Sequence, residues 1–476
     1  MADWQKIKTE YITTDTSYRK LAQKYGVHYN AIANRAKQEG WISQRNQFCD
    51  KTVTKTVNAI SDKQVDRATK LIEVSDMLLN KVSGLLESDG KIALDTQGMR
   101  HISGVLKDIK EIQMIKSQKD LEEQDARIAK MDATKTDFTS KACVTIGVVD
   151  GDGIGPIITK QAMRVLEKVL SDEIAAGSIV IMYIEGLTIE NRIARNKPIP
   201  SDVLAEIKSC DVILKGPTTT PHGGTMESAN VAMRRELDLY ANCRPVSIPE
   251  KNIDWMFFRE NTEGEYVLGS RGVELPGMAV DFKVTTDAGT RRIARAAFDY
   301  ARNNGKTHLS VVTKANIMKK TDGKFTAICH EIAKDYPEIE VEDYYIDIMT
   351  ANLLKEPLRE KFQVVLLPNL YGDIITDEAA QIQGGVGTAG SANIGDQYAM
   401  FEAIHGSAPR MIERGMGEYA NPASMIKAAA MMLRHICRGP AAEKIENAMT
   451  NCHVEVFSDG SAATAAEYTD ALLELL

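Results

Sequence analysis

Residues 364–385 read VVLLPNLYGDIITDEAAQIQGG, and the change of texture inside them decides the fold class. Val364–Leu367 is a short apolar run closed by Pro368, the pattern of a strand buried on both faces. Downstream of the proline, DEAAQIQ has helical character and stops at a glycine pair. Apolar runs alternate with amphipathic helical stretches elsewhere too: VTIGVV, ITKQAMRVLEKVL, IVIMYI, DVLAEIK, DVILKG and HLSVVT. This alternation predicts an α/β domain whose sheet is covered on both faces.

The same stretch carries chemistry. A helix starting near Ile374 places Asp373 and Asp377 at i and i+4, with both carboxylates on one side of its N-terminal end, just past a strand's carboxyl end. Two like charges there invite a cation, and oxygen-only donors without nearby His or Cys favour Mg²⁺ or Mn²⁺ over zinc. The plainer alternative is a helix cap beside a solvated carboxylate.

Outward from that stretch, the chain of 476 residues exceeds one hydrophobic core, so two or three domains are expected. Its 43% hydrophobic and 26% charged residues suit a soluble globular protein, and no apolar run approaches the twenty residues a membrane span needs. MADWQKIKTEYITTD contains no secretory pattern, so the expected location is cytoplasmic. Seven scattered cysteines with no C-x-x-C spacing read as reduced thiols. Residues 1–60 hold ten Lys or Arg against five Asp or Glu, whereas the whole chain has a net charge of −8. The two ends therefore suit different partners.

The boundaries track the texture: residues 1–60, a helical hairpin over 61–131, a polar linker over 132–141, and an α/β catalytic region over 142–476. TSYRKLAQKYGVHYNAIANRAKQEGW spaces Leu21 and Ala22, a turn at Gly26, and Ile32 as a helix-turn-helix with His28, Tyr29, Asn30, Asn34 and Arg35 exposed. A small helical bundle with a basic face fits the spacing equally well. Between Val65 and Leu86, and again from Ile102 to Ile112, apolar residues recur by threes and fours, an oligomerising seam. This combination resembles the small subunit of phage terminases, which implies duplex DNA as a partner of residues 1–60.

Two glycine stretches resemble phosphate loops without matching them. Asp150–Pro156, DGDGIGP, has G-x-G-x-G spacing and two acids, and Gly385–Gly390 comes after a helix rather than a strand. Tight turns or close packing are the alternative. Arg234, Arg244 and Arg259 stand beside small polar residues in an acidic region. Several guanidinium groups near a paired carboxylate suggest a substrate with several carboxylates, each gripped by aligned charge-assisted bonds.

The motifs GDGIGP, KGPTTTPHGG, RRELDLYANCRPV, FRENTEGEY, KANIMK, NLYGDIITD, ANIGD and FEAIHGSAP occur in one order between Cys143 and Leu476. Here the chain resembles the isocitrate and isopropylmalate dehydrogenases, metal-dependent β-decarboxylating enzymes of two-domain α/β fold. ESANVAMRR resembles the isocitrate branch. The resemblance implies Ser228 and Asn230 as substrate ligands, with Arg234, Arg244 and Arg259 clamping carboxylates. It implies Mg²⁺ or Mn²⁺ held by Asp373 and Asp377 with Asp347 from a neighbouring subunit, hence a homodimer with composite sites. Lys314, also from that subunit, would assist in removing the hydroxyl proton, and Tyr266 would protonate the product carbon. Thr219, His405, Gly406, Ser407, Ala408, Pro409 and Asn421 match cofactor positions. The pair Arg410-Met411 departs from both the acid of NAD-type and the Lys-Tyr of NADP-type members, and the C-terminal stretch lacks the residues NADP-type bacterial members add. NAD is the expected cofactor, with NADP the alternative. The expected reaction is oxidative decarboxylation of isocitrate to 2-oxoglutarate. Homoisocitrate or 3-isopropylmalate oxidation is the nearest alternative, and a DNA-binding, terminase-like protein carrying a passenger enzyme domain is the alternative from another class.

Overall fold

The computed structural model describes residues 3–13, 18–41, 138–220, 226–267 and 272–476. The expected hairpin of residues 61–131 and most of the 132–141 linker lie outside them.

Ten strands form one sheet: β1 (Val144–Val149), β2 (Ile179–Tyr183), β3 (Val212–Lys215), β4 (Ala241–Ile248), β5 (Ile253–Glu260), β6 (His308–Thr313), β7 (Glu340–Tyr345), β8 (Val364–Leu367), β9 (Gly390–Ile394) and β10 (Ala399–Ala403). Their spatial order is β2, β1, β3, β10, β9, β4, β5, β8, β6, β7. The pairs β10 with β9, β9 with β4, and β4 with β5 are antiparallel. All other neighbours are parallel. Two parallel wings therefore meet at an antiparallel centre.

The inner strands of each wing are buried on both faces, as their apolar runs predict, while the edge strands β2 and β7 are partly exposed. Along β8, Val364 and Leu366 enter one core with Phe298 and Ile293 of the helix Asp287–Asn303 and Phe325 of Thr321–Ala333. Val365 and Leu367 enter another with Met349 and Leu353 of Ile346–Leu354 and Ile375 of Asn369–Gln383. In the other wing, Val212 and Leu214 of β3 face Gly155–Val169 and Ala423–His435, while Ile213 faces Ser201–Ser209. Side chains alternate across each strand, so four separate cores arise from one sheet.

One boundary differs from expectation. The helix carrying the two aspartates begins at Asn369, not near Ile374. Pro368 takes the cap position with φ −60°, a value its ring fixes, so the helix starts straight off the strand. Asp373 therefore lies in the second turn rather than at the helix end, although it and Asp377 remain one turn apart.

In the N-terminal region, the helices Trp4–Thr13, Tyr18–Tyr25 and Tyr29–Gln38 enclose Ile7, Leu21, Ile32, Ala36 and Trp41. The first of these helices was not anticipated. The turn at Gly26 has φ +60°, which glycine adopts without a steric cost. His28, Tyr29, Asn30, Asn34 and Arg35 are exposed, as the spacing suggests. Arg35 is nevertheless engaged, bonded to Glu39 at 2.7 Å and stacked 4.9 Å from the Trp4 ring. The six cysteines among the described residues are free thiols. No helix among those residues is long and apolar enough to cross a membrane.

Candidate active site

β4 and β5 aim two of the three arginines. Ala241 pairs with Glu260 and Ile248 with Ile253, so Arg244 and Arg259 share a face with Val246, Ile248, Ile253, Trp255 and Phe257. These five apolar residues are sunk in the core beneath Val365 and Leu367. Their burial fixes the register, and a slip of one residue would turn both arginines to the opposite face.

Arg259 is fully buried. Its Nε and Nη2 donate to Asn369 Oδ1 at 2.9 and 2.6 Å, and its Nη1 pairs with Asp373 Oδ1. A Cβ on Gly372 would lie 2.6 Å from Arg259 Cγ, so only glycine lets the helix approach this closely. Arg244 donates to Thr376 Oγ1 at 2.6 Å and Asp377 Oδ1 at 3.0 Å, and lies 3.6 Å from Asp373 Oδ1. Arg234, on the helix Ala229–Glu236, lies 3.6 Å from Glu402 Oε1. Glu402 also pairs with fully buried Lys215 at 2.9 Å and accepts from Asn393 at 2.8 Å. The arginines expected to hold substrate and the aspartates expected to hold metal are thus each other's counter-ions.

The charges remain under strain. Burial, then the neighbouring Arg234, pulls Arg259 down to about 9. Burial likewise lowers Arg244. A low-dielectric site holding three guanidinium groups favours further negative charge. The Nε atoms of Arg234 and Arg244 are buried without a hydrogen-bond partner. Burial works to raise Asp373, but Arg259 and Arg244 outweigh it and hold that carboxyl below its usual range. Burial raises Asp377.

Tyr266 donates its O–H to Asp373 Oδ2 at 2.8 Å. Burial and that carboxylate push the phenol up to about 12, so it is neutral and carries a proton at physiological pH. It borders a shallow open cleft lined also by Val231, Arg234, Asn261 and Asn369. Nearby, Ser228 occupies the helix N-cap without a side-chain cap bond, and Asn230 accepts from Thr218 at 2.9 Å.

Asp373 and Asp377 offer hard oxygen donors one helical turn apart, which suits Mg²⁺ or Mn²⁺. Among the described residues, no three His, Cys, Asp or Glu side chains are grouped to hold a metal. Asp347 instead pairs with Lys314. Neither joins the arginine cluster through any hydrogen bond or ion pair of the described residues.

A second group forms around the first glycine loop. Thr219 Oγ1 and Ser407 Oγ lie 2.6 Å apart. Asp152 is buried against Arg192 at 3.0 Å and accepts from Thr219 N at 2.7 Å. Ile154 N donates to Ser407 O at 3.0 Å. Gly153, at φ +60°, has no room for a Cβ, which would meet Ser407 O at 2.0 Å. The GDGIG loop therefore clasps two other loops, and its Asp152 is already neutralised. Ala408 has φ +43°, a left-handed conformation that alanine rarely adopts, at the cap of Pro409–Glu413. His405 and exposed Gly406 lead into that strained turn, and burial lowers the His405 pKa. Asn421 accepts from Ala423 N at 2.9 Å and lies near Gly387, bringing the second glycine stretch to this side of the sheet.

Lys215, Glu402, Asn369, Asn261 and the Asp152–Arg192 pair had no role assigned from sequence. The available signal was a lysine closing the apolar run DVILK and a glutamate inside FEAIHG: charges where a buried strand should be uncharged.

An α/β sheet carrying an arginine and carboxylate cluster, with a separate loop clasp beside it, is an arrangement able to grip a small anion. The pattern of the isocitrate/isopropylmalate dehydrogenase family matches residues 145–464, and the chain belongs to that family. It is 41% identical over 320 residues to an NADP-type isocitrate dehydrogenase of Rickettsia prowazekii, covering 64% of this chain and 62% of that protein. It is 35% identical over 347 residues to subunit 2 of the mitochondrial NAD-type isocitrate dehydrogenase of Schizosaccharomyces pombe, covering 70% and 87%. The crystal structure of isocitrate dehydrogenase from Methylococcus capsulatus superposes with a TM-score of 0.63 at 36% identity, covering 70% of this chain and 99% of that one. The matched family region begins at residue 145, downstream of the N-terminal helices.

Burial acts to raise Glu402, but Lys215 and Arg234 outweigh it and hold the carboxyl at about 2, against an ordinary value of 4.5. A depressed carboxylate contributes stability above its unfolded pKa and loses it as pH falls through the folded one. Unfolding midpoints should therefore fall as pH drops from 4.5 towards 2. Glu402→Gln should cost about 3–5 kcal/mol at neutral pH by leaving Lys215 unpaired, and should flatten part of that acid slope in denaturant titrations at several pH values.

Proposed function

We propose that residues 142–476 catalyse the oxidative decarboxylation of isocitrate to 2-oxoglutarate with reduction of a nicotinamide cofactor. The observation that carries this reading is the cluster of buried Arg244 and Arg259 with half-buried Arg234 at the edge of a cleft that also presents Tyr266. Three neighbouring guanidinium groups, two of them with an unpartnered Nε, select a polycarboxylate over a substrate with one charge and an alkyl arm. Ser228 and Asn230, a polar pair at a helix N-terminus, support isocitrate over 3-isopropylmalate.

Arg234, Arg244 and Arg259 bind and orient the substrate carboxylates, with Arg244 and Arg259 exchanging their present aspartate partners for substrate oxygens. Asp373 and Asp377 would hold Mg²⁺ or Mn²⁺ together with Asp347 of a second copy; bound there, the ion supplies Lewis acidity toward the substrate's hydroxyl and adjacent carboxylate. Lys314 from the second copy assists in taking the hydroxyl proton as the C2 hydride passes to the nicotinamide. The β-keto acid so formed loses CO₂, leaving an electron pair on the neighbouring carbon. Tyr266, neutral and proton-bearing, delivers its proton to that carbon.

Thr219, His405, Gly406, Ser407, Ala408, Pro409 and Asn421 form the cofactor side, and we read the cofactor as NAD, because Arg410 lies beside no Lys-Tyr pair. A homodimer is supported by exposed Ile348, Leu354 and Ile374 on two adjacent helices, at 50%, 62% and 60% exposure. We place the protein in the cytoplasm.

For residues 1–60 we infer a helix-turn-helix that contacts duplex DNA through His28, Tyr29, Asn30 and Asn34, exposed at the start and along one helix. Filter binding over a salt series tests this, and affinity that does not fall with salt counts against it.

The deciding assay monitors cofactor reduction with isocitrate, homoisocitrate and 3-isopropylmalate. Isocitrate should turn over fastest, exhaustive EDTA should abolish turnover, and Mn²⁺ should restore it. Equal rates before and after chelation would sink the reading. Tyr266→Phe should cut decarboxylation by ~10² to 10⁴ while affecting reduction of added oxalosuccinate less, and equal losses would remove Tyr266 as proton donor.

A further inference from the structure

We propose that Lys283 is a positioning residue that ties Tyr266, Lys314 and the aspartate helix to one buried ammonium. This deepens the dehydrogenase reading given above and rests on it.

Lys283 is 6% exposed at its side chain. Its Nζ lies 2.5 Å from Asp322 Oδ1 and 3.2 Å from Glu265 Oε1. It also sits 4.3 Å from the centre of the Tyr371 ring. Neither carboxylate contact is angularly well formed as a hydrogen bond, so the attraction is mainly ionic. Burial works against the ammonium, yet Asp322 outweighs it and the pKa stays above its usual value.

Each contact leads to a residue with an assigned part in the chemistry. Glu265 is the immediate neighbour of Tyr266. Asp322, fully buried, accepts the backbone N–H of Lys314 through its other oxygen at 2.7 Å. Tyr371 lies two residues before Asp373 on the same helix. The segment bearing Lys283 is already laced to the Tyr266 loop by two backbone bonds, Gly264 N to Val284 O at 2.9 Å and Val284 N to Gly264 O at 3.1 Å. Backbone pairing therefore fixes where Lys283 starts, and the ammonium determines what it holds. A surface lysine would release water on pairing for little gain. A buried one with two carboxylates and a ring persists because removing it leaves Asp322 charged and uncompensated.

With Lys314 acting in the site of a second copy, each Lys283 serves two active sites. It sets the proton donor of its own and the base lent to the other.

The test uses full-length protein and two half-reactions. Deuterium exchange at C3 of 2-oxoglutarate reads Tyr266, and reduction of added oxalosuccinate reads Lys314. Lys283→Met should lower both by about 10², the cost of misplacing a reacting group by about 1 Å, with the isocitrate KM changed less than about threefold. Glu265→Gln should slow the C3 exchange more than the reduction, and Asp322→Asn the reverse. If Lys283→Met keeps both half-reactions within about threefold of wild type, or raises only the KM, the proposal falls. Should that variant fail to fold, the Glu265→Gln and Asp322→Asn pair decides alone: opposite preferences sustain it, and equal losses overturn it. Wild-type protein without isocitrate turnover would count against the dehydrogenase reading instead. Amide exchange of residues 262–267 and 314–322 then still decides, since Lys283→Met with protection unchanged in both segments would refute the tie.

Discussion

Burying two arginines beside a third, half-buried one is the constraint on which the rest of this region is organised. Each guanidinium taken from water costs roughly several kcal/mol even after relaxation, and that cost is offset only by well-placed counter-charges. Arg259 has Asp373 and Asn369, Arg244 has Thr376 and Asp377, and Arg234 shares Glu402 with Lys215. These partners come from a strand on the far side of the sheet centre and from a helix one strand away. The antiparallel centre, the glycine at 372 and the early start of the aspartate helix all bring them within reach. The compensation is incomplete, with two buried Nε atoms unsatisfied, and that remaining deficit favours a polyanionic substrate.

Much of this was readable in the sequence, for specific reasons. The inner strands of the wings are short, mainly apolar and bounded by helices, so pattern alone implies the covered α/β sheet, whereas the edge strand EVEDYY carries no such signal. Three arginines amid small polar residues and two acids at helical spacing marked the site. The direct pairing of those arginines with those acids was not readable, because it depends on β4 and β5 facing each other in one register. The helix start is not legible because Asp373 reads as a terminal residue, whereas Pro368 caps the helix and the missing Cβ of Gly372 leaves room for Arg259. Lys283 gave no local signal at all: its three contacts come from segments 18 to 88 residues away.

The two glycine motifs show how spacing misleads when the backbone is unknown. DGDGIGP opens a helix after a strand, but its second aspartate is neutralised by Arg192 and its second glycine has no room for a side chain beside Ser407. Its work is to hold loops together. The residues it gathers, Thr219 and Ser407, are those assigned to the cofactor side, so the loop contributes to that site without touching a phosphate through an acid.

The hairpin joining β4 to β5 turns at Pro249–Lys251 and Asn252, the last in a left-handed conformation with φ +53°. Four residues of extended chain separate that bend from Arg244, about 17 Å from Arg244 to Pro249 at the usual rise per residue. The bend nevertheless sets which way both guanidinium groups point, because it fixes the count along two strands at once. For anyone reshaping this protein, the most distant part of the ribbon is thus the hidden alignment mark of its anion grip, and lengthening that bend is a route to losing recognition while every recognising residue is still present.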